Sequence, residues 1–195
     1  MCARKKNTDL NQIILKAAEE LFLTKGFRAV SMRKIADKIG YSATTIYNYY
    51  TNKGDLLQSL VQDYYKEYTT ESEIILKSED SDPLGSLKKL LILYVTNGLK
   101  YPNHYKLLVG DYPEMENINL SESEGYKGYL NLQRLIKKCI EKGLIKANEP
   151  EIIAQGLWCA VYGVTSLMTI RPNFPWIDKM KVVEHIVDTN LNGLK

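Results

Sequence analysis

The stretch Ser31-Met-Arg-Lys-Ile-Ala-Asp-Lys-Ile-Gly-Tyr-Ser-Ala-Thr-Thr-Ile-Tyr-Asn-Tyr-Tyr-Thr-Asn-Lys53 reads as two short helices around a tight turn. Ser31 suits an N-cap, because its hydroxyl accepts a bond from an amide two or three residues on, and Ile35, Ala36 and Ile39 then form one apolar face. Gly40 ends that helix, since a residue without Cβ turns readily at positive φ. Ser42 offers a second N-cap for a helix from Ala43 to about Tyr50. A turn of about three residues sets two helices at a steep angle, the arrangement of a helix-turn-helix.

In the second helix Ile46 and Tyr50 share one side, while Thr44, Tyr47 and Asn48 share another. One side packs and the other is offered outward. Ala43, Thr44 and Thr45 are small, so the start of this helix can enter a major groove unobstructed. Lys53 opens the next helix, where its ammonium and the first-turn amides can meet one phosphate together. By spacing alone the same residues also suit an ordinary helical hairpin with a solvated basic face.

The flanks narrow the choice. Lys25-Gly26-Phe27 precedes the stretch, Ile35-Ala36 lies within it, and Thr45-Ile-Tyr47-Asn-Tyr-Tyr50-Thr-Asn-Lys53-Gly-Asp55-Leu-Leu57 closes it. Over residues 8 to about 60 this resembles the DNA-binding domain of the TetR family of bacterial transcriptional repressors. The shared pattern is a glycine-aromatic pair after the first helix, a tyrosine and an aromatic pair in the recognition helix, then a lysine and an acidic-leucine step. The resemblance implies an all-α chain with a three-helix helix-turn-helix domain at 1–53 and a larger helical ligand-binding and dimerisation domain at 54–195. It also implies a cytoplasmic, nucleoid-associated homodimer that binds a palindromic double-stranded DNA operator and is released by a small-molecule effector, which the aromatic content suggests is hydrophobic and planar. Carried over by position, Arg33, Ser42, Ala43 and Thr44 would face bases or the groove wall. Ser31, Thr45, Tyr47, Tyr49 and Lys53 would hold phosphates. Asn48 occupies a variable family position, open between a phosphate contact and a solvated residue.

Composition agrees with such a division. The chain has 195 residues, 45% of them apolar and 25% charged, which places it among globular proteins. Residues 1–53 carry ten Lys/Arg against four Asp/Glu, and the remainder sixteen against nineteen. The basic charge is thus gathered in the part that must approach phosphates. Cys2, Cys139 and Cys159 are odd in number and far apart, which argues against a disulfide framework and for a reducing compartment, and they have no metal-ligand spacing. Neither a metal nor a cofactor is expected. The basic N-terminus has no apolar run after it, so no secretory signal is read there.

Along the chain, a first helix starting at Asn7 or Thr8 buries Ile14, Ala17, Ala18, Leu21 and Phe22, and Phe27 and Val30 complete a three-helix core. Arg4, Lys5 and Lys6 form a basic arm or a frayed end. Asn52 caps a long helix to about Lys77 with Leu57, Leu60, Val61, Tyr64 and Tyr68 as its seam, and this helix is shared by both parts. Residues 78–82 form a polar break. Pro83 opens a helix to about Tyr101, stopped by Pro102, and a short helix covers about Tyr105 to Val109. A loop around Pro113 and Asn117 precedes a capping box, Ser121 with Glu124, that opens a helix to about Lys142 closed by Gly143. Asn148 and Glu151 suggest a similar start for the next helix, and a last one runs from about Trp176 to Leu191.

Residues 152–170 carry no charge, yet Gln155, Thr165, Ser166 and Thr169 dilute them, and a buried interface helix is expected rather than a membrane span. Gly156, Ala160 and Gly163 make a small-residue stripe. Met180, Val183, Ile186 or Val187, Asn190 and Leu194 make a seam on the last helix. Helices at about 149–171 and 176–191 from two chains would form a four-helix dimer interface; alternatively both close the core of one chain. Trp158-Cys-Ala-Val-Tyr162-Gly163 resembles the tryptophan-histidine-glycine motif of one C-terminal subfamily, with Tyr162 replacing the histidine. Tyr94, Tyr101, His104, Tyr105, Trp158 and Tyr162 are the candidates to line an effector pocket, although the fourteen tyrosines are spread through the chain and core packing is open for each. Two other classes stand beside a regulator. An enzyme would need convergent catalytic groups, yet His104 and His185 are remote in sequence and sit in no ligand or triad motif. A helical protein-interaction module would dimerise and ignore DNA.

Overall fold

The computed structural model describes residues 8–110, 124–146 and 148–195. The basic arm at 4–6, the start of the first helix at Asn7, the loop around Pro113 and Asn117, and Ser121 lie outside the described residues. Within them the chain forms α1 (Thr8–Lys25), α2 (Met32–Ile39), α3 (Ala43–Tyr47), α4 (Lys53–Leu76), α5 (Pro83–Lys100), α6 (Pro102–Leu108), α7 (Glu124–Glu141), α8 (Pro150–Ile170) and α9 (Lys179–Asn192). No strand occurs among these residues. They separate into two compact units: one holds those up to Asp63 and those from Leu107 to 110, the other Tyr64–Lys106 and the described residues from Glu124 onward.

The smaller unit is built on a core of Ile14, Ala18, Phe22, Phe27, Ile35, Ala36, Ile46 and Leu57, all buried. Phe22 and Phe27 pack with ring centroids 4.8 Å apart. A single 3₁₀ turn, Phe27–Ala29, drops Phe27 into that core directly after Gly26. Lys38 of α2 pairs with Glu20 of α1 at 2.7 Å, and the Tyr50 hydroxyl donates to Asn11 Oδ1 at 2.7 Å. These polar ties fix the faces that burial has already chosen.

In the larger unit α5 is the central element, packed against α7, α8 and α9. Leu87, Leu90, Leu91 and Val95 of α5 meet Leu135, Ile136, Leu157, Val161, Val183 and Val187 in one buried cluster. Gly98 lets α5 approach α8 closely: a Cβ there would overlap the Thr165 methyl and touch the Tyr105 ring. Glu79, after α4, is buried with Arg134 and Lys138 on its Oε1, tying the α4–α5 connection to α7.

Several boundaries differ from the sequence expectation, each for a local reason. α3 stops at Tyr47 rather than near Tyr50, because the chain tightens there: the Tyr49 amide bonds Ile46 O at 2.9 Å and residues 51–55 are already engaged in capping α4. α6 begins at Pro102, three residues earlier than expected. A proline at the first helical position loses no bond, so Pro102 both stops α5 and opens α6. α8 starts at Pro150 behind Glu149, which makes no side-chain cap bond, so the proposed Asn148 start is not used. α9 starts at Lys179 and not Trp176, since Asp178 Oδ1 accepts from the amides of Met180 (3.0 Å) and Lys181 (3.2 Å). Trp176 instead donates its indole N–H to Arg171 O at 3.1 Å and packs on Phe174.

Of the two readings of the C-terminal helices, the structure shows one: both close the core of the single chain. Ile153, Ala154, Leu157, Val161, Val164 and Met168 of α8, with Val183, Val187 and Leu191 of α9, close the core of the single chain. The α9 seam runs through Leu191; Asn190 is exposed and turns its amide back to Ile186 O at 2.8 Å. The opposite face of α8 stays open: Ile152, Leu167 and Ile170 are more than half exposed, and a Cβ on Gly156 or Gly163 would meet nothing within 4 Å. α8 is also long and apolar enough by composition to cross a membrane, but its buried half belongs to the helical core just described.

Candidate functional site

The helix-turn-helix is made by two caps and one glycine. Ser31 Oγ accepts from Lys34 N at 3.2 Å to start α2. Gly40, at φ 74°, ends it. The Tyr41 amide reaches back to Ala36 O (3.0 Å) and the Gly40 amide to Asp37 O (3.4 Å), a pair of bonds that satisfies the last carbonyls of α2. Ser42 Oγ then accepts from Thr45 N at 3.2 Å and lies 2.9 Å from Thr45 Oγ1, starting α3. Only Gly40, Tyr41 and Ser42 separate the helices.

Ile46 and Tyr50 are buried, as their spacing requires. Arg33, Ser42, Thr44, Tyr47 and Asn48 are exposed, with Tyr47 54% accessible, and Ala43, Thr45 and Tyr49 are partly so. Ser31 is exposed as well, its hydroxyl engaged as the α2 cap. The outward surface therefore carries a guanidinium, hydroxyls and a phenol around a narrow helix start. Lys53 sits differently from the others: its ammonium donates to Phe27 O at 3.0 Å and lies 4.3 Å from the centre of the Phe27 ring. It is a cation held in a fixed place at the first residue of α4 rather than one on a free stem. Asn52 Oδ1 caps the same helix by accepting from Asp55 N at 3.0 Å, while the Asp55 carboxylate accepts from the Thr51 amide and hydroxyl.

Tyr41 was not among the residues singled out from sequence, and it is 47% exposed beside Ser42 at the turn. The signal that would have found it is an aromatic directly between the turn glycine and the second cap.

The six aromatic candidates of the larger unit fall into two groups. Tyr94 and Tyr105 meet at 6.3 Å, Tyr105 and Tyr162 at 6.4 Å, and Tyr162 and Trp158 at 6.3 Å. Tyr101 and His104 belong instead with Tyr64, on which the His104 ring stacks at 6.2 Å, and the Tyr101 hydroxyl donates to Glu67. Tyr129 extends the first group at 5.8 Å from Trp158. Burial pushes the phenols of Tyr64, Tyr65, Tyr94 and Tyr105 above the usual tyrosine range, and that of Tyr68 up to about 12. An open depression of about 340 Å³ lies elsewhere, on the outer side of α7 between Leu130, Arg134, Lys138 and Glu141. None of the six candidates lines it.

Comparison with known proteins places this geometry. The family model for bacterial regulatory proteins of the tetR family matches residues 14–60, the three helices and the start of α4. The fatty acid metabolism regulator protein of Bacillus subtilis (strain 168) is 30% identical over 145 residues, which are 68% of this chain and 69% of that protein. Among solved structures, the fatty acid degradation regulator FadR from Bacillus halodurans superposes with a TM-score of 0.69 at 24% identity, covering 98% of this chain and 99% of that one. NalD, the secondary repressor of the MexAB-OprM multidrug efflux pump in Pseudomonas aeruginosa, superposes with a TM-score of 0.73 at 21% identity, covering 95% of each. At those identities the two structures speak for the fold alone.

Proposed function

Because the chain belongs to the TetR family of bacterial regulatory proteins, we propose that it acts as a homodimeric, effector-released repressor on a palindromic operator. That it is a DNA-binding transcriptional regulator follows from the family; the roles below are our reading. The observation that carries it is the capped helix-turn-helix itself, with Arg33, Thr44 and Tyr47 exposed while Ile46 and Tyr50 are buried. Arg33 reads a base, since a guanidinium bonds O6 and N7 of guanine together. Ser42, Ala43 and Thr44 line the groove. Ser31, Thr45, Tyr47, Tyr49 and Lys53 hold phosphates, and the Phe27 carbonyl presets the Lys53 ammonium before DNA arrives.

The dimer forms through the open face of α8, with the segment leading into α9 adding Phe174 (57% exposed) and Ile177 (99%). A single helix-turn-helix makes few contacts, and two of them about 34 Å apart on one face of the duplex multiply their selectivity. The effector is a small hydrophobic molecule bound in the larger unit. It acts by preferring a conformation in which the two recognition helices are wrongly spaced, with α4, which runs through both units, carrying the change. The protein works in the bacterial cytoplasm, on the nucleoid.

The test is binding of the purified chain at fixed salt to the DNA immediately upstream of its own coding region, beside a random duplex. A preference of about a thousandfold or more supports a specific regulator. Equal binding to both, unchanged by Lys53→Ala, would favour a helical interaction module that ignores DNA.

A further inference from the structure

The turn between α2 and α3 holds Gly40, Tyr41 and Ser42, and its backbone is fixed from both sides. The Tyr41 amide donates to Ala36 O at 3.0 Å and the Gly40 amide to Asp37 O at 3.4 Å, while Ser42 Oγ caps α3 by accepting from Thr45 N at 3.2 Å. Tyr41 therefore leaves the chain at a set place, directly before the cap of the helix read as the recognition helix. Its side chain is 47% exposed, so its own unit covers about half of it and it does not stand on a free stem. Among the described residues its hydroxyl takes part in no hydrogen bond.

The hydroxyls that follow it are partly spent. Ser42 Oγ and Thr45 Oγ1 lie 2.9 Å apart and share one hydrogen, so at most one of their two hydroxyl hydrogens is left to donate outward. Ala43 has no side-chain donor at all. A phosphate oxygen in a duplex only accepts, so holding the backbone takes donors. The start of α3 is short of them, and the phenol of Tyr41 supplies one. Its place decides what it meets: the first residues of a recognition helix reach the base edges, and a residue ahead of the cap stands at the rim of the groove, where the phosphates lie.

We propose that Tyr41 holds the duplex: its hydroxyl donates to a phosphate oxygen on the strand that borders the groove receiving α3, and so sets how deep that helix sits. This deepens the DNA-binding reading above and rests on it. The contact differs in kind from that of Lys53. A neutral phenol displaces no counterion, so Tyr41 adds affinity without adding salt dependence, whereas an ammonium adds both. It carries no sequence information of its own, because every base pair presents the same phosphates.

The experiment measures binding of the full chain, as wild type, Tyr41→Phe and Lys53→Ala, by fluorescence anisotropy over a series of salt concentrations. Two duplexes of equal length are used, one from the DNA upstream of its own coding region and one of random sequence. Tyr41→Phe keeps the ring and removes only the hydroxyl, so the thermal midpoint should stay where it is. It should weaken both duplexes by one common factor of about tenfold or more, the worth of a hydrogen bond to a charged group. The slope of log affinity against log salt should remain that of the wild type, whereas Lys53→Ala should lower it by about one. Binding by Tyr41→Phe equal to the wild type, a loss confined to the upstream duplex, or a slope lowered as in Lys53→Ala would each overturn the proposal. If the wild type shows no preference between the duplexes yet Tyr41→Phe weakens both alike, the phosphate contact stands and the operator reading falls. If the wild type prefers the upstream duplex and Tyr41→Phe matches it on both, the operator reading stands and the contact falls.

Discussion

Replacing Leu167 with glutamate should separate the dimer and leave the single chain folded. Leu167 lies on the open face of α8 and is 53% exposed, so its own chain covers only about half of it. Full burial of a leucine is worth about 1.5–3 kcal/mol, so a partner still has about 1 kcal/mol to gain from the uncovered half. A two-fold interface counts that twice. Leu167→Ala should therefore cost the dimer about 2 kcal/mol, on the order of a thirtyfold rise in its dissociation constant. Leu167→Glu adds a carboxylate that must be desolvated opposite its own copy, with an effective penalty of several kcal/mol per ion, enough to leave only monomer at micromolar concentration. Sedimentation velocity reads the mass directly, and far-UV circular dichroism checks the fold. The neighbouring Met168 supplies the contrast, because at 1% exposure it belongs to the core. Met168→Ala should cost about 2–5 kcal/mol of folding stability without a specific effect on association. Were Leu167→Glu to sediment with twice the chain mass and an unchanged midpoint, the open face of α8 would not be the dimer surface.

Arg33→Ala should lose discrimination of about 1–3 kcal/mol at one base pair, read by competition among operator variants, whereas Lys53→Ala should weaken all sequences alike and lower the salt slope by about one. Equal effects of both on specific and random DNA would remove the division between base reading and phosphate holding. Gly98→Ala should lower stability by about 1–3 kcal/mol in denaturant titration, since its methyl overlaps Thr165 and crowds Tyr105; a neutral effect would mean that α5 and α8 part more easily than their packing suggests. Titration of tyrosine absorbance should show phenols that keep their protons above pH 10, Tyr68 up to about 12. Because the folded state then holds protons that the unfolded chain releases, stability should be undiminished below about pH 10 and fall as pH rises from there towards 12. Tyrosines all titrating near 10 while the helices persist would contradict the burial of this group.

What the sequence made legible was governed by local rules. Ser31, Gly40 and Ser42 each act through a backbone group within a few residues, so the helix-turn-helix could be read almost to the residue. The same holds for Asp55 and Asn52 at the start of α4. The misses arose where two local signals competed. Asn148 and Pro150 both offer a helix start, and the preset φ of proline decided it without a side-chain cap. Trp176 and Asp178 likewise competed, and Asp178 won by taking two amides at once. Nothing local separates Tyr101 and His104 from Tyr94, Tyr105, Trp158 and Tyr162. Their division into two groups depends on how α4, α5, α6 and α8 pack, which is tertiary information. The fixed position of Lys53 has the same origin, because its acceptor, Phe27 O, is twenty-six residues away.

The helix that joins these readings is α8. Its turns carry three kinds of surface at once: Leu157, Val161 and Val164 in the core, Trp158 and Tyr162 at the edge of the aromatic group, and Gly156, Gly163 and Leu167 on the open face. A hydrogen-bonded helix of twenty-one residues cannot easily shift one face without the others. A ligand that met Trp158 or Tyr162 would therefore be in mechanical contact with the proposed dimer surface through one rigid body. The small residues on that surface matter for the same reason. With no Cβ at Gly156 or Gly163, a partner helix can seat close to the α8 backbone, so small displacements of the helix change the contact directly rather than being absorbed by long side chains. Linkage then makes the relation reciprocal: whatever factor the ligand applies to dimer affinity, dimerisation applies to ligand affinity. A ligand that met only Tyr101 and His104 would have no such route, since those side chains lie on α6 and at its junction with α5 rather than on α8. The Trp158 group is thus the one of the two aromatic groups whose occupation would reach the dimer contact through a single element.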